Sequence, residues 1–120
     1  MRIFKNTRFV RFAGKEGISD NELKEAVNQL DAGQADASLG GGVYKIRVAR
    51  PGEGKSGAYR VIVLFRRKER TFFVYGFAKS ERANISEMEL QAYKEVAKKY
   101  FSMTEKQIEK SIKHGELIEL

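Results

Sequence analysis

Residues 40–82 read GGGVYKIRVARPGEGKSGAYRVIVLFRRKERTFFVYGFAKSER, and this stretch decides the fold. It holds three apolar runs, at about residues 43–49, 59–66 and 71–77, joined by short polar segments. Side chains in a strand alternate between the two faces, and short connections favour antiparallel pairing of successive strands. The stretch therefore predicts an antiparallel meander. Its middle run is apolar on both faces, which predicts a position near the centre of the sheet.

The positive charge of the chain is concentrated in the same stretch. Residues 41–82 carry eleven Lys/Arg and three Asp/Glu, whereas residues 1–40 carry six of each and residues 83–120 carry six and seven. The net charge of +7 therefore comes from the predicted sheet. A basic excess confined to a sheet indicates a polyanionic ligand, with RNA, DNA and phosphorylated molecules as the candidates.

The segment before the meander contains a helix signal. Ser19 or Asp20 fits an N-cap, and periodic apolar positions favour a helix over residues 21–31, which Gly33 ends. The aromatic residues within 2–13 fit either an irregular strand or a strand that runs into a short helix. The sequence leaves that boundary open.

The segment after the meander contains two more helix signals. Ser86 followed by Glu89 matches a capping box and predicts a helix over residues 87–101. Thr104 begins a further short helix. The last residues, 116–120, read ELIEL and fit either a final strand or a docked end.

Composition limits the classes of protein and site. A chain of 120 residues with 42% hydrophobic residues predicts one folded domain over residues 1–120. It has no Cys and one His, which excludes thiolate and His-rich metal sites, so we expect no metal and no cofactor. No run of about 18 apolar residues or secretory leader is visible, so we expect a cytoplasmic protein that does not enter a membrane.

The segment PGEGKSG, residues 51–57, contains the Gly-Lys-Ser run of a phosphate-binding P-loop. That motif needs a glycine at the position where this chain has Ala49, and it needs a helix to follow, whereas a strand is predicted here. We interpret the segment as a glycine-rich connection that carries Lys55.

Three basic residues are candidates for a ligand-binding surface. Lys45 and Arg47 share a face by strand alternation, and Arg60 interrupts the start of an otherwise apolar strand. Such a charge costs desolvation energy unless it is paired or faces a cleft. Arg60 therefore either joins Lys45 and Arg47 at a binding surface or pairs with a carboxylate such as Glu81 or Glu89.

The third predicted strand carries an aromatic line. Alternation predicts that Phe73, Tyr75 and Phe77 share one face. Such a line is usually core, but aromatic rings among cations also suit base stacking combined with phosphate contact.

The runs LGGGVYKIRVARPGEGKSGAYRVIVLF, residues 39–65, and FFVYGFAKSERANIS, residues 72–86, resemble RelE/HigB-like toxins of the RelE/ParE toxin–antitoxin superfamily. The resemblance implies a microbial-RNase-like α+β fold, with a small antiparallel-dominated sheet and helices on one side. It implies a metal-independent, ribosome-dependent endoribonuclease, an mRNA interferase that inhibits translation. It also implies as partners the ribosome, mRNA and a cognate antitoxin, often of the helix-turn-helix type.

The resemblance also implies roles for particular residues. Arg60 matches the central-strand arginine that stabilises the transition state, and Lys45 and Arg47 match basic strand positions for phosphate or ribosomal RNA contact and proton transfer. Lys79 follows the last strand, where relatives place another cation. The expected catalytic set is Arg60, Lys79 and Lys45, and the expected RNA-binding set is Arg47, Lys55, Phe73, Tyr75 and Arg82.

The chain departs from the family pattern in two places. Ser80 stands where some relatives have a catalytic arginine, and Asn84 and Ile85 stand where they have a tyrosine. Tyr75 or Arg82 are the candidates to substitute, and the general base and general acid stay unassigned.

Two rival functions follow from these departures and from the superfamily. One is a ParE-like, non-enzymatic inhibitor of DNA gyrase, and the other is a degenerate member that binds RNA and antitoxin without cutting. Residues 102–120 extend beyond the smallest relatives and bear either on antitoxin contact or on stability alone.

Overall fold

A computed structural model describes residues 1–34, 37–49 and 58–120, and only the backbone of Ala37. The predicted loop that carries Lys55 lies outside these residues. The helices are α1 (Thr7–Glu16), α2 (Asp20–Asp31), α3 (Glu87–Ser102) and α4 (Glu105–Lys113). The strands are β1 (Arg2–Asn6), β2 (Ala37–Gly40), β3 (Val43–Val48), β4 (Tyr59–Arg66), β5 (Arg70–Ala78) and β6 (Leu117–Glu119).

The described strands form one mostly antiparallel sheet in the order β2-β3-β4-β5-β1-β6. The predicted meander is confirmed, because β3 pairs with β4 and β4 with β5 in antiparallel register. β4 lies between these two strands, as its apolar character predicted. β1 adds a parallel pairing with β5, and β6 then pairs antiparallel with β1. The predicted α+β class is therefore confirmed.

The helices cover both faces of the sheet. Apolar side chains of α1 and α2, including Phe9 and Leu23, pack with Val61 on one face. Ala97 of α3 and Ile108 of α4 pack with Ile62 and its neighbours on the other face. The implied arrangement, with helices on one side only, is wrong for this chain. The reason is that β4 is apolar on both faces, so each face must be covered.

A β-bulge changes the direction of side chains along β5. Ile62 lies opposite Tyr75, but the next residue, Val63, lies opposite Phe73, so Val74 is an extra residue on β5. Phe73 therefore packs on the α1/α2 face, whereas Tyr75 and Phe77 pack on the α3/α4 face. The prediction that Phe73, Tyr75 and Phe77 share one face is wrong, because the bulge interrupts the alternation between Phe73 and Tyr75.

Side-chain caps fix where the helices begin. Ser86 forms the predicted capping box at the start of α3, and Ser19, the first of the two N-cap candidates, forms a capping box with Glu22 at the start of α2. Thr104 does the same for α4. Asn6 accepts a hydrogen bond from the backbone N–H of Phe9, which starts α1 directly after β1. The open alternative at residues 2–13 is thus decided as a strand that runs into a helix.

An arginine network holds the last elements against β1. The Arg2 guanidinium donates hydrogen bonds to Glu105 and Glu109 of α4 and to Glu119 of β6. Arg70 donates to Glu105 as well. These bonds lower the pKa of Glu105 and Glu119. The C-terminal residues 116–120 are therefore an ordered strand with its neighbours, the first of the two alternatives that the sequence left open.

Two glycines give a test of the packing between α1 and the sheet. Gly76 lies under the Phe12 ring, so closely that a Cβ at position 76 would overlap the ring, whereas a Cβ at Gly14 of α1 would meet nothing. We expect Gly76→Ala to lower the free energy of unfolding by about 1–3 kcal/mol through overpacking. The matched change Gly14→Ala should raise it by about 0.5–1 kcal/mol, because alanine favours a helix interior. Urea unfolding of both variants checks this, and a neutral Gly76→Ala would show that Phe12 is free to move.

Candidate nucleic-acid interface

Three cations form a basic row on the α3/α4 face of the sheet: Lys45, Arg47 and Arg60. Arg47 lies directly opposite Arg60 across β3 and β4, and Lys45 lies opposite Ile62. Ile62 packs on this face, so strand alternation brings all three cations to it. Side chains that face each other across two strands have Cβ atoms about 4.5–5.5 Å apart. The predicted convergence is confirmed, and it concentrates positive charge at one end of the sheet.

Arg60 is half-buried and lightly engaged. Its Nη1 donates to the backbone carbonyl of Ala58 at 3.4 Å. The alternative of an ion pair with Glu81 or Glu89 is not found among the described residues, where Glu89 pairs with Arg82. A guanidinium has five N–H donors in a fixed fork, which suits two oxygens of one phosphate. A phosphate that binds Arg60 would therefore displace few of its contacts with the described residues.

Three rings form an aromatic cluster beside the basic row: Tyr75, Phe77 and Tyr93. The Tyr75 ring centre is 5.7 Å from that of Phe77 and 6.4 Å from that of Tyr93. Phe77 lies directly opposite Arg60, so the cluster and the row adjoin. Tyr75 and Tyr93 are half-buried, and burial raises the pKa of the Tyr93 phenol. The cluster therefore combines apolar ring surface with phenol groups that reach its edge.

Arg82 is held within the protein by all three of its side-chain nitrogens. It donates two hydrogen bonds to the Glu89 carboxylate, at 2.6 and 3.0 Å, and one to the backbone carbonyl of Asn84 at 2.9 Å. Nη1 also donates to the Tyr75 hydroxyl at 3.2 Å. Its guanidinium carbon lies 5.8 Å from the Tyr75 ring centre and 5.7 Å from that of Phe77. Arg82 therefore fixes the Tyr75 ring and phenol, and it has little left to offer a ligand.

The strong pairing of Arg82 changes the titration of its partner. Hydrogen bonds from Arg82 lower the pKa of Glu89 from 4.5 to about 2, and the backbone N–H of Ser86 adds to the effect. The same carboxylate completes the capping box of α3. Glu89 thus joins the segment after β5 to the start of α3.

Arg8 is a second cation at the aromatic cluster, and it was not predicted from the sequence. Its guanidinium carbon lies 5.4 Å from the Tyr75 ring centre, and the group also interacts with the Tyr93 hydroxyl. Arg8 is in α1 and Tyr93 is in α3. Local periodicity carries no signal for contacts between elements so far apart in sequence. Glu89 was predicted as a capping residue and as a possible partner of Arg60, but its pairing with Arg82 was not predicted.

The other predicted residues are not brought together in the same way. Lys79 is exposed and directly follows Ala78, which lies opposite Tyr59, so Lys79 lies at the same end of the sheet as Arg60. Phe73 is fully buried on the opposite face and has no surface with which to stack on RNA. Lys55 lies outside the described residues.

The described part of the chain holds neither a cluster of metal-binding side chains nor a membrane-spanning helix. Residues 1–34, 37–49 and 58–120 contain no group of three or more His, Cys, Asp or Glu that could hold a metal ion. In the same residues, no helix is both long enough and apolar enough to span a membrane.

The Arg82–Glu89 pair predicts a pH-dependent contribution to stability. Because folding lowers the pKa of Glu89 to about 2, the pair stabilises the protein fully above about pH 4.5 and the contribution is lost as the pH falls through 2. Glu89→Gln keeps a capping oxygen but loses the charge, so it should be less stable than wild type at pH 7. Urea unfolding at a series of pH values should show this difference vanish between about pH 4.5 and pH 2.

Glu95→Gln is the matched control. Glu95 lies on the same helix and pairs with Lys98 at the surface, where both side chains are about three-quarters exposed. Exposed pairs of this kind contribute little, so the control should match wild type at every pH. A Glu89→Gln difference that stays constant from pH 7 to pH 2 would contradict the assigned role of the charge.

A comparison with protein families gives one match over the whole chain. The family model described as RelE toxin of the RelE/RelB toxin–antitoxin system matches residues 1–120. A search of curated proteins found no match.

Proposed function

The chain belongs to the RelE family, the toxins of RelE/RelB toxin–antitoxin systems, and we propose that it is a ribosome-dependent endoribonuclease that cuts mRNA and thereby inhibits translation. Family membership implies an antitoxin partner. In the proposal, that antitoxin is a helix-turn-helix protein, the toxin acts in the cytoplasm on translating ribosomes, and residues 1–120 work as one toxin domain.

The observation that carries the proposal is the position of Arg60. Arg60 is half-buried at the end of the basic row that adjoins the aromatic cluster, and its guanidinium makes one hydrogen bond to the described part of the chain. RNA cleavage by its own 2′-hydroxyl forms a bond from O2′ to phosphorus and breaks the bond from phosphorus to O5′. Negative charge builds on the phosphate oxygens in between. A fixed guanidinium stabilises that charge more in the transition state than in the ground state.

Lys45 and Lys79 supply charge on either side of Arg60 in the proposed site. Lys45 lies in the neighbouring strand, and Lys79 lies at the end of β5. Both are candidates to bind the scissile phosphate and to take part in proton transfer, while Arg47 binds a neighbouring phosphate. Phe77 and Tyr75 offer ring surface on which a base can stack. Arg82 moves from the RNA-binding set to a supporting role, since it holds Tyr75 in place.

The test is primer extension on a reporter mRNA in a cell-free translation system. Wild type should give cuts positioned by codons, and naked RNA should stay intact. Arg60→Ala should lower the cleavage rate by about 10²- to 10³-fold, the usual loss when one group that stabilises transition-state charge is removed. Arg67→Ala is the matched control, because Arg67 is exposed in the turn after β4 and its one ion pair with the described residues is a 4.0 Å contact with Asp31.

Several outcomes would contradict the proposal. Arg60→Ala with wild-type activity and wild-type thermal stability would remove Arg60 from the site. Intact mRNA and undiminished translation, at toxin levels that arrest growth, would remove the nuclease activity. Inhibition of DNA gyrase would then identify a ParE-like inhibitor. RNA and antitoxin binding without cleavage or growth arrest would identify a degenerate member.

A further inference from the structure

We propose that Arg8 binds the RNA phosphate next to the phosphate at which cleavage occurs. Arg8 and Tyr75 then form a nucleotide subsite beside the basic row. The inference deepens the proposed function and rests on it. Arg8 lies in α1, an element that carries none of the residues in the expected catalytic and RNA-binding sets.

The chain path brings Arg8 to this position. β1 runs parallel to β5, with Lys5 opposite Phe73, and the Asn6 side chain donates a hydrogen bond to the carbonyl of Val74. α1 begins at the next residue, so its first turn starts beside the segment of β5 that carries Tyr75. The Arg8 guanidinium lies over the Tyr75 ring at 5.4 Å. A planar guanidinium on a ring face is held in orientation by cation–π attraction.

Charge balance distinguishes Arg8 from the other cation at Tyr75. Arg82 is neutralised by two hydrogen bonds to Glu89. Lys5, close to Arg8 in sequence, pairs with Asp20. Arg8 is in none of the ion pairs found across residues 1–34, 37–49 and 58–120. It is exposed, and its charge is therefore available to an anion.

The partial fixation of Arg8 favours binding. An exposed arginine loses much rotamer freedom when it clamps a ligand. Arg8 is already restrained by the Tyr75 ring and by the Tyr93 hydroxyl. Part of that entropic cost is therefore met before a ligand arrives, which is the advantage of a preorganised donor.

The sheet register gives the spacing between the contacts of the proposed site. Arg47, Arg60 and Phe77 lie in one line across β3, β4 and β5, and Lys45, Ile62 and Tyr75 lie in the next. Neighbouring strands are about 4.8 Å apart, so two strand spacings, about 10 Å, separate Lys45 from Tyr75. In the proposal, the RNA backbone crosses the sheet from β3 towards β5, so that it passes Arg60 before it reaches Tyr75 and Arg8. This order assigns Arg8 to a phosphate next to the scissile one.

The experiment measures binding and turnover separately. Binding of a 2′-O-methyl RNA oligonucleotide, which lacks the attacking hydroxyl, is followed by fluorescence anisotropy over a series of salt concentrations. Turnover is measured on ribosomes programmed with a reporter mRNA. The variants are Arg8→Gln, which keeps the aliphatic stem without the charge, and Arg8→Lys, which keeps the charge. Arg11→Gln is the matched control, since Arg11 is exposed on the same helix.

We expect Arg8→Gln to reduce the slope of log K against log salt by about 0.7, the value for one phosphate contact on a single strand. Its KM should rise about tenfold while kcat stays near the wild-type value, because the contact binds ground state and transition state alike. Arg8→Lys should keep most of the slope. Arg11→Gln should match wild type in slope, KM and kcat.

The inference is overturned if Arg8→Gln keeps the wild-type slope and KM, or if Arg11→Gln lowers the slope as much. A loss in both Arg8 variants with a lower melting temperature would also overturn it, because that pattern marks a structural role. Failure of the proposed function gives a different result. If wild type binds the oligonucleotide with an Arg8-dependent slope but leaves mRNA uncut on ribosomes, the nuclease proposal is lost and the phosphate subsite stands.

Discussion

Strand β4 is buried on both faces from Val61 to Phe65, and the other elements are arranged around that constraint. One face is covered by α1 and α2 and the other by α3 and α4. Burial of this kind stabilises the sheet through apolar area removed from water. The helices no longer cover the α3/α4 face at the start of β4, where Arg60 is half-buried. The position of the site is therefore a consequence of where the second layer of helices stops.

Five arginines of the described residues fall into two groups that do different work. Arg2 and Arg70 donate to carboxylates of elements far away in the sequence, and Arg82 donates to Glu89 at the start of the next helix. Arg60 and Arg8 lie on the same side of the sheet as the aromatic cluster, and no carboxylate of the described residues pairs with either. Arginines that pair with carboxylates stabilise the fold. Arginines without such a partner contribute most to the positive electrostatic potential that attracts a polyanion. The amino-acid composition shows the excess of basic residues, but it does not show which of them pair with carboxylates.

Local signals in the sequence were enough for the meander and for the starts of α2, α3 and α4, whereas the start of α1 was left open. Alternation placed Lys45 and Arg47 on one face of β3, the N-cap candidate Ser19 begins α2, and the predicted capping box at Ser86 begins α3. The bulge was not predictable, because the extra residue, Val74, is apolar and looks like any other strand residue. Every side chain beyond a bulge changes face, which is why Phe73 was misassigned. The contacts of Arg8 were missed because they join elements that meet only after the sheet has formed.

The hydrogen bonds of Arg2 also affect the order in which the chain folds. Arg2 and Glu119 lie 117 positions apart, and the pairing of β1 with β5 already spans most of the meander. Contacts between positions so far apart in sequence form late and slowly, since loop-closure entropy must be overcome before they contribute. During synthesis, β1 therefore cannot pair until its neighbours β5 and β6 have been made, and α1 cannot pack on the sheet until β5 is present. Until β5 has been synthesised, the chain therefore lacks the contact between the Arg8 guanidinium and the Tyr75 ring.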